Sequence, residues 1–155
     1  LQGKIPYRMD KRIREWCFGS FDGAYDGDLF MGLIPRIFNV DHVHQLSYAE
    51  LAEGLVEVDT AGWAEGWEKL SGRIKEGFEA IAKEMEEQGG GNALVVSHGM
   101  TIGTIVYLIN GMHPHGLDNG SVTILEYEDG QFSVEVVGDR SYRELGREKM
   151  GEIKN

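Results

Sequence analysis

The chain has 155 residues, with 26 Asp and Glu against 15 Lys and Arg and a formal net charge of −11 at pH 7. That length suffices for one domain with a real core, and the acidity makes nucleic acid and anionic membrane surfaces unsuitable partners. Cys17 is the single cysteine, which rules out an internal disulfide and suits a reducing cytoplasm; no apolar run approaches the ~18 residues of a membrane span, and no basic-then-apolar signal segment opens the chain.

Residues 1–10 show no clear periodicity. From Lys11 to Gly27 the aromatics Trp16, Phe18, Phe21 and Tyr25 lie among Gly19, Gly23 and Gly27, a glycine density that predicts a shaped loop. Leu29 to Val40 is apolar but contains Pro35, so it is either two short pieces or a turn of helix after a loop. Ser47 with Glu50 makes a capping box, and a short helix is expected from Tyr48 to Glu57. Thr60 is a second N-cap candidate. From there Trp63, Trp67, Leu70, Ile74, Phe78, Ile81 and Met85 recur at steps of three or four. This is the apolar stripe of a long amphipathic helix, ended by Gly89-Gly90-Gly91.

Ala93 to Ser97 is too short for a helix and apolar at four successive positions. It reads as a strand covered on both faces, as in a parallel sheet. His98 and Gly99 follow, then an apolar segment, Thr101 to Asn110, that reads as a buried helix ended by Gly111. A strand handing over to a helix with an imidazole at the junction is where α/β proteins bind ligands. The free N–H groups of Gly99 and Met100 and the positive end of the helix favour an anion there. Val122 to Tyr127 and Phe132 to Val137 form a hairpin through Asp129-Gly130, and Ser141 to Met150 reads as a polar terminal helix or tail.

A strand buried on both faces needs a neighbour on each edge, because unpaired buried backbone groups are costly. One such strand and one hairpin do not provide them, so the reading places further strands of the sheet outside the chain. The first residue, Leu1, is consistent with processing, cleavage or excision from a longer protein, and equally with simple trimming.

Three stretches, taken together and in order, resemble the histidine phosphatase superfamily, which includes the cofactor-dependent phosphoglycerate mutases. Ile13-Arg14-Glu15-Trp16-Cys17-Phe18-Gly19-Ser20-Phe21-Asp22-Gly23 is similar to the family's "L-x-E-x-x-F-G-x-x-E-G" segment. Val95-Val96-Ser97-His98-Gly99 is similar to its second-histidine motif, and Asn119-Gly120-Ser121-Val122-Thr123-Ile124-Leu125 to its late "N-x-S-(apolar)" strand. The resemblance implies an α/β fold: a three-layer sandwich with a mostly parallel sheet flanked by helices. Residues 1–155 would form the C-terminal part of one such domain, incomplete because the N-terminal central strand is absent.

It also implies phosphoryl transfer on small phosphomonoesters. In the family, the histidine of an "R-H-G" motif attacks phosphorus, a second histidine and arginines stabilise charge, and a glutamate protonates the leaving alcohol. Carried over by motif, Glu15 matches the acid and His98 the second histidine; Gly99, Met100, Asn119 and Arg14 are the candidate substrate-binding residues. No tripeptide Arg-His-Gly occurs in the chain, so the chain alone is expected to be inactive, and phosphatase is the default over mutase. Residue by residue, other readings stay open. Glu15 is alternatively a surface carboxylate paired with Arg12 or Arg14, and His98 alternatively a capping residue. Lys11, Arg12 and Arg14 either offset the acidic field or are solvated loop charges. His42-x-His44 and His113-x-His115 are weak metal candidates without nearby cysteines, and neither metal nor cofactor is expected. The expected partner is a small phosphorylated metabolite. The competing functions are a non-catalytic module binding phosphate or a protein partner, and a remnant that self-associates through an exposed sheet edge.

Overall fold

A computed structural model describes residues 7–25, 27–114 and 116–152. A π-helical segment, Asp28–Leu33, runs straight into α1 (Ile34–Phe38). There follow α2 (Tyr48–Val58), α3 (Trp67–Glu87), α4 (Gly99–Asn110), the strands β1 (Val122–Glu128) and β2 (Gln131–Asp139), and α5 (Ser141–Glu152). Pro35 therefore sits where the π-helical segment passes into α1. Among the described residues no helix is long and apolar enough to cross a membrane.

The local signals that act within one element act as expected. Ser47 Oγ accepts the Glu50 N–H at 3.2 Å and the Glu50 carboxylate accepts the Ser47 N–H at 2.8 Å, closing the capping box that starts α2. Asp129 and Gly130 take φ values of +52° and +80°, as a two-residue type I′ turn requires, and Glu128 faces Gln131 across the hairpin. Helix α4 ends at Gly111, with φ +74°. Leu70 and Ile74 of α3, Leu51 and Leu55 of α2 and Ile105 of α4 are buried in one core with Trp16 and Tyr48. Each large aliphatic side chain buried there contributes about 1.5–3 kcal/mol.

Helix α3 begins at Trp67, not near Thr60, and Trp63 is 68% exposed outside it. The reason is Asp59. Its carboxylate accepts the N–H groups of Ala61 (2.9 Å), Trp63 and Ala64 (2.7 Å), and across the loop that of Ser20 (2.7 Å). The chain from 59 to 64 winds around this carboxylate instead of forming a helical turn. Gly19, at φ +61°, lets the loop approach: a Cβ there would lie 2.1 Å from the Asp59 Cγ. Desolvation raises the Asp59 pKa, but the four backbone donors outweigh it and hold the carboxyl well below its ordinary 3.8. A depressed folded-state pKa means that the contribution is complete above the unfolded value and is lost as pH falls toward the folded one. Acid denaturation below about pH 4 should therefore be shallower in Asp59→Asn than in the parent chain, measured as Tm against pH; parallel curves would remove Asp59 from that role.

Two expectations about the sheet are not met. Ala93–Ser97 forms no strand, and the sheet among the described residues is the antiparallel pair β1–β2 rather than a mostly parallel one. Val95 packs on the core and Ser97 Oγ donates to the Ile13 carbonyl at 2.7 Å. Leu94 and Val96, on the opposite face, are each 82% exposed. The apolar pattern reports a preference for burial; a strand needs a partner backbone as well, and no described residue supplies one.

Candidate functional site

The segment from Asp10 to Trp16 lies along α3. Gly77 permits the approach, since a Cβ there would come within 2.8 Å of Ile13 Cγ2 and 2.9 Å of Arg12 Cβ. Arg73, one turn of α3 away, grips the same segment. Its Nη1 donates to the carbonyls of Arg12 (2.8 Å) and Arg14 (3.0 Å), and its Nη2 to that of Glu15 (3.0 Å). The Arg73 charge is met by Glu65, which lies 2.9 Å from Nε and whose side chain is only 2% exposed. A buried carboxylate is stable only when paired and hydrogen-bonded, and Arg14 completes the pairing through Nη2 at 2.5 Å.

This clamp delivers Glu15 to the first turn of α4. Glu15 Oε1 accepts the N–H of Thr101 at 3.0 Å and that of its own neighbour Trp16 at 3.0 Å; Oε2 accepts the N–H of Met100 at 3.2 Å. Thr101 Oγ1 donates to the Arg14 carbonyl at 2.7 Å and stands 3.1 Å from Oε1. Below them Trp16, 4% exposed, donates through Nε1 to Thr104 Oγ1 at 3.0 Å. Tyr48 packs edge-on against the Trp16 ring, with centroids 5.8 Å apart. Burial, helped by the nearby Glu15 charge, pushes the Tyr48 hydroxyl up to about 12, so it is neutral at physiological pH.

His98 is the N-cap residue of this same α4 and is exposed; its side chain makes no capping hydrogen bond. The two motif residues, Glu15 and His98, thus meet at one helix end although 83 positions separate them. Gly99 opens the helix beside them. The Met100 N–H, expected to face an anion, donates to Glu15 instead: the helix end already holds a carboxylate. Arg14 is turned toward Glu65 and the Lys11 carbonyl (2.9 Å). Arg12 pairs with Asp10, whose carboxyl that guanidinium holds at about 2. Asn119 lies before β1, where its carbonyl accepts Arg143 Nη1 of α5 at 2.8 Å; no described contact joins it to Glu15 or His98. His42 and Gln45 form a capping box at a short helical turn, and His115 lies outside the described residues.

Sequence reasoning did not pick out Arg73, Glu65, Thr101 or Thr104. The available signal was slight: an arginine at position 73, between the stripe residues Leu70 and Ile74, and two threonines in an otherwise apolar helix. The arrangement provides a fixed carboxyl, an exposed imidazole and a helix dipole at one place. Those are the parts of a site that stabilises negative charge and moves a proton.

Comparison with known proteins identifies the family. The family model for the histidine phosphatase superfamily (branch 1) matches residues 1–140. The crystal structure of phosphoglycerate mutase from Bacillus anthracis str. Sterne is similar at 33% identity with a TM-score of 0.87, over 94% of this chain and 66% of that one. The chain therefore spans slightly less than two thirds of the length of the mutase that it matches. A comparison with curated proteins returns no match. An α/β fold shared with a phosphoglycerate mutase, and a family match over most of the sequence, make this chain a member of the histidine phosphatase superfamily, branch 1.

Proposed function

We propose that these residues form the acid and charge-stabilising half of a phosphoryl-transfer site for small phosphomonoesters. Glu15 is the proton donor to the leaving alcohol, and His98 donates to the oxygens of the transferring group. The observation that carries the reading is the convergence of Glu15 on the first turn of the helix that His98 caps. The nucleophilic histidine comes from a further segment bearing Arg-His-Gly, which the sequence does not contain. That segment completes a three-layer sandwich by pairing with Ala93–Ser97 and covering Leu94 and Val96, which are 82% exposed.

The experiment compares the chain alone with the chain fused behind a family segment carrying Arg-His-Gly. Both are incubated with p-nitrophenyl phosphate, with phosphohistidine trapping alongside. The expected result is no turnover above the blank for the chain alone, and turnover with a trapped phosphohistidine for the fusion. Turnover by the chain alone that His98→Ala abolishes would show that it holds its own nucleophile. Specific binding of phosphate by both, with turnover by neither, would favour a binding module. Self-association through the exposed segment is the competing fate of that edge, and solution mass of the chain alone reads it directly.

A further inference from the structure

We propose that the two oxygen positions of the Glu15 carboxyl are not interchangeable: Oε1 is a fixed acceptor, and Oε2 is the atom that carries and delivers the proton. The inference rests on the reading of Glu15 as the acid and adds which atom acts and what holds it.

Oε1 accepts two backbone N–H groups, from Trp16 and Thr101, both at 3.0 Å. Neither donor can turn away. Trp16 is anchored by its buried ring and its bond to Thr104, and the Thr101 amide belongs to the first turn of α4. An N–H cannot face the hydrogen of a carboxyl O–H, and two of them exclude it from that position. Oε2 has one described donor, the Met100 N–H at 3.2 Å, and one donor leaves room for a proton on the same oxygen.

Thr101 holds the arrangement through its side chain as well. Its hydroxyl has one proton and two oxygens within reach, the Arg14 carbonyl at 2.7 Å and Glu15 Oε1 at 3.1 Å. The shorter contact is at the usual O–H···O distance and the longer is beyond it, so the proton goes to the carbonyl. The hydroxyl therefore ties the backbone just before Glu15 to α4. Arg73 donates to that same carbonyl from α3 at 3.0 Å, and the segment is held from two helices. Thr101 and Arg73 are positioning residues, and Glu15 is the group that reacts.

In the reaction, the leaving oxygen takes the electron pair of the breaking P–O bond and the proton from Oε2, while the new bond to phosphorus forms from the nucleophilic histidine. The carboxylate left behind is met by the N–H groups of Trp16, Met100 and Thr101. The donors that bar a proton from Oε1 thus also stabilise the product of proton transfer.

Glu15→Gln copies the protonated acid, with an oxygen for one position and an NH2 group for the other. The test is amide hydrogen exchange by NMR on the full chain and on Glu15→Gln. With the amide oxygen at the Oε1 position, the Trp16 and Thr101 amides keep their protection, and the Met100 amide exchanges about fivefold faster or more, the factor for one lost hydrogen bond. The reverse pattern, loss of protection at all three amides, or unchanged protection at all three would overturn the proposal. Should Glu15→Gln fail to fold, the amide proton shifts of Trp16, Met100 and Thr101 are followed as the parent chain is acidified: the Met100 shift moves most when Oε2 takes the proton, and a larger move at Trp16 and Thr101 would overturn the proposal. Exchange is read without turnover, so an inactive fusion protein leaves this result standing, and an unexpected exchange pattern leaves the acid assignment standing.

Discussion

Replacing Arg73 by methionine should destabilise the chain by about 3 kcal/mol, the lower end of the cost of stripping a partner from a buried charge. The loss has two parts. Glu65, 4% exposed, keeps only Arg14 as a charge partner, and the Arg14 side chain is 47% exposed. The carbonyls of Arg12, Arg14 and Glu15 lose their shared donor. Arg73→Lys should recover less than half of the difference. An ammonium keeps the charge, but it lacks the planar fork that reaches a carboxylate and three carbonyls at once. Arg73→Met combined with Glu65→Leu should be milder than Arg73→Met alone, because no buried charge remains. Denaturant unfolding of the three variants provides the numbers. A double variant worse than Arg73→Met would show that Glu65 is stabilised without Arg73.

In the active fusion protein, Glu15→Gln should slow turnover of phenyl phosphate by about 10²–10⁴-fold, the usual contribution of a positioned general acid. Turnover of p-nitrophenyl phosphate should fall far less, since nitrophenolate leaves without needing a proton. Measuring kcat/KM for both esters separates proton donation from misfolding, which would lower both alike. An equal loss on the two substrates would take the role of acid away from Glu15 and leave it a helix cap.

Much of the site was legible because its signals are local. Glu15 and His98 each sit in a short motif whose spacing reflects one loop or one helix start, and Ser47 with Glu50 closes a capping box within a single turn of helix. Arg73 was not legible. On α3 it reads as one more surface charge, and its burial follows only from the segment 12–15 lying across the helix at Gly77. Trp63 fits the helical stripe by spacing, yet the Asp59 carboxylate collects the amides of residues 61, 63 and 64 and cancels the turn. For Ala93–Ser97 the apolar run expressed a demand for cover and for neighbours. Whether a strand forms depends on another stretch of backbone, which no pattern within the segment can supply.

By itself, then, the amino-acid order determined the helices α2 and α4 and the hairpin with its turn, since each depends on side chains within a few positions of one another, and it marked Glu15 and His98 as the candidates that the fold brings to one helix end. Tertiary packing decided which charges are buried, which oxygen of Glu15 is tied down and that the end of α4 is occupied by a carboxylate. Those outcomes bring in groups as far apart as Arg14 and Glu65, 51 positions, and Glu15 and Thr101, 86 positions, and solvent exclusion between them exists only once the chain has folded.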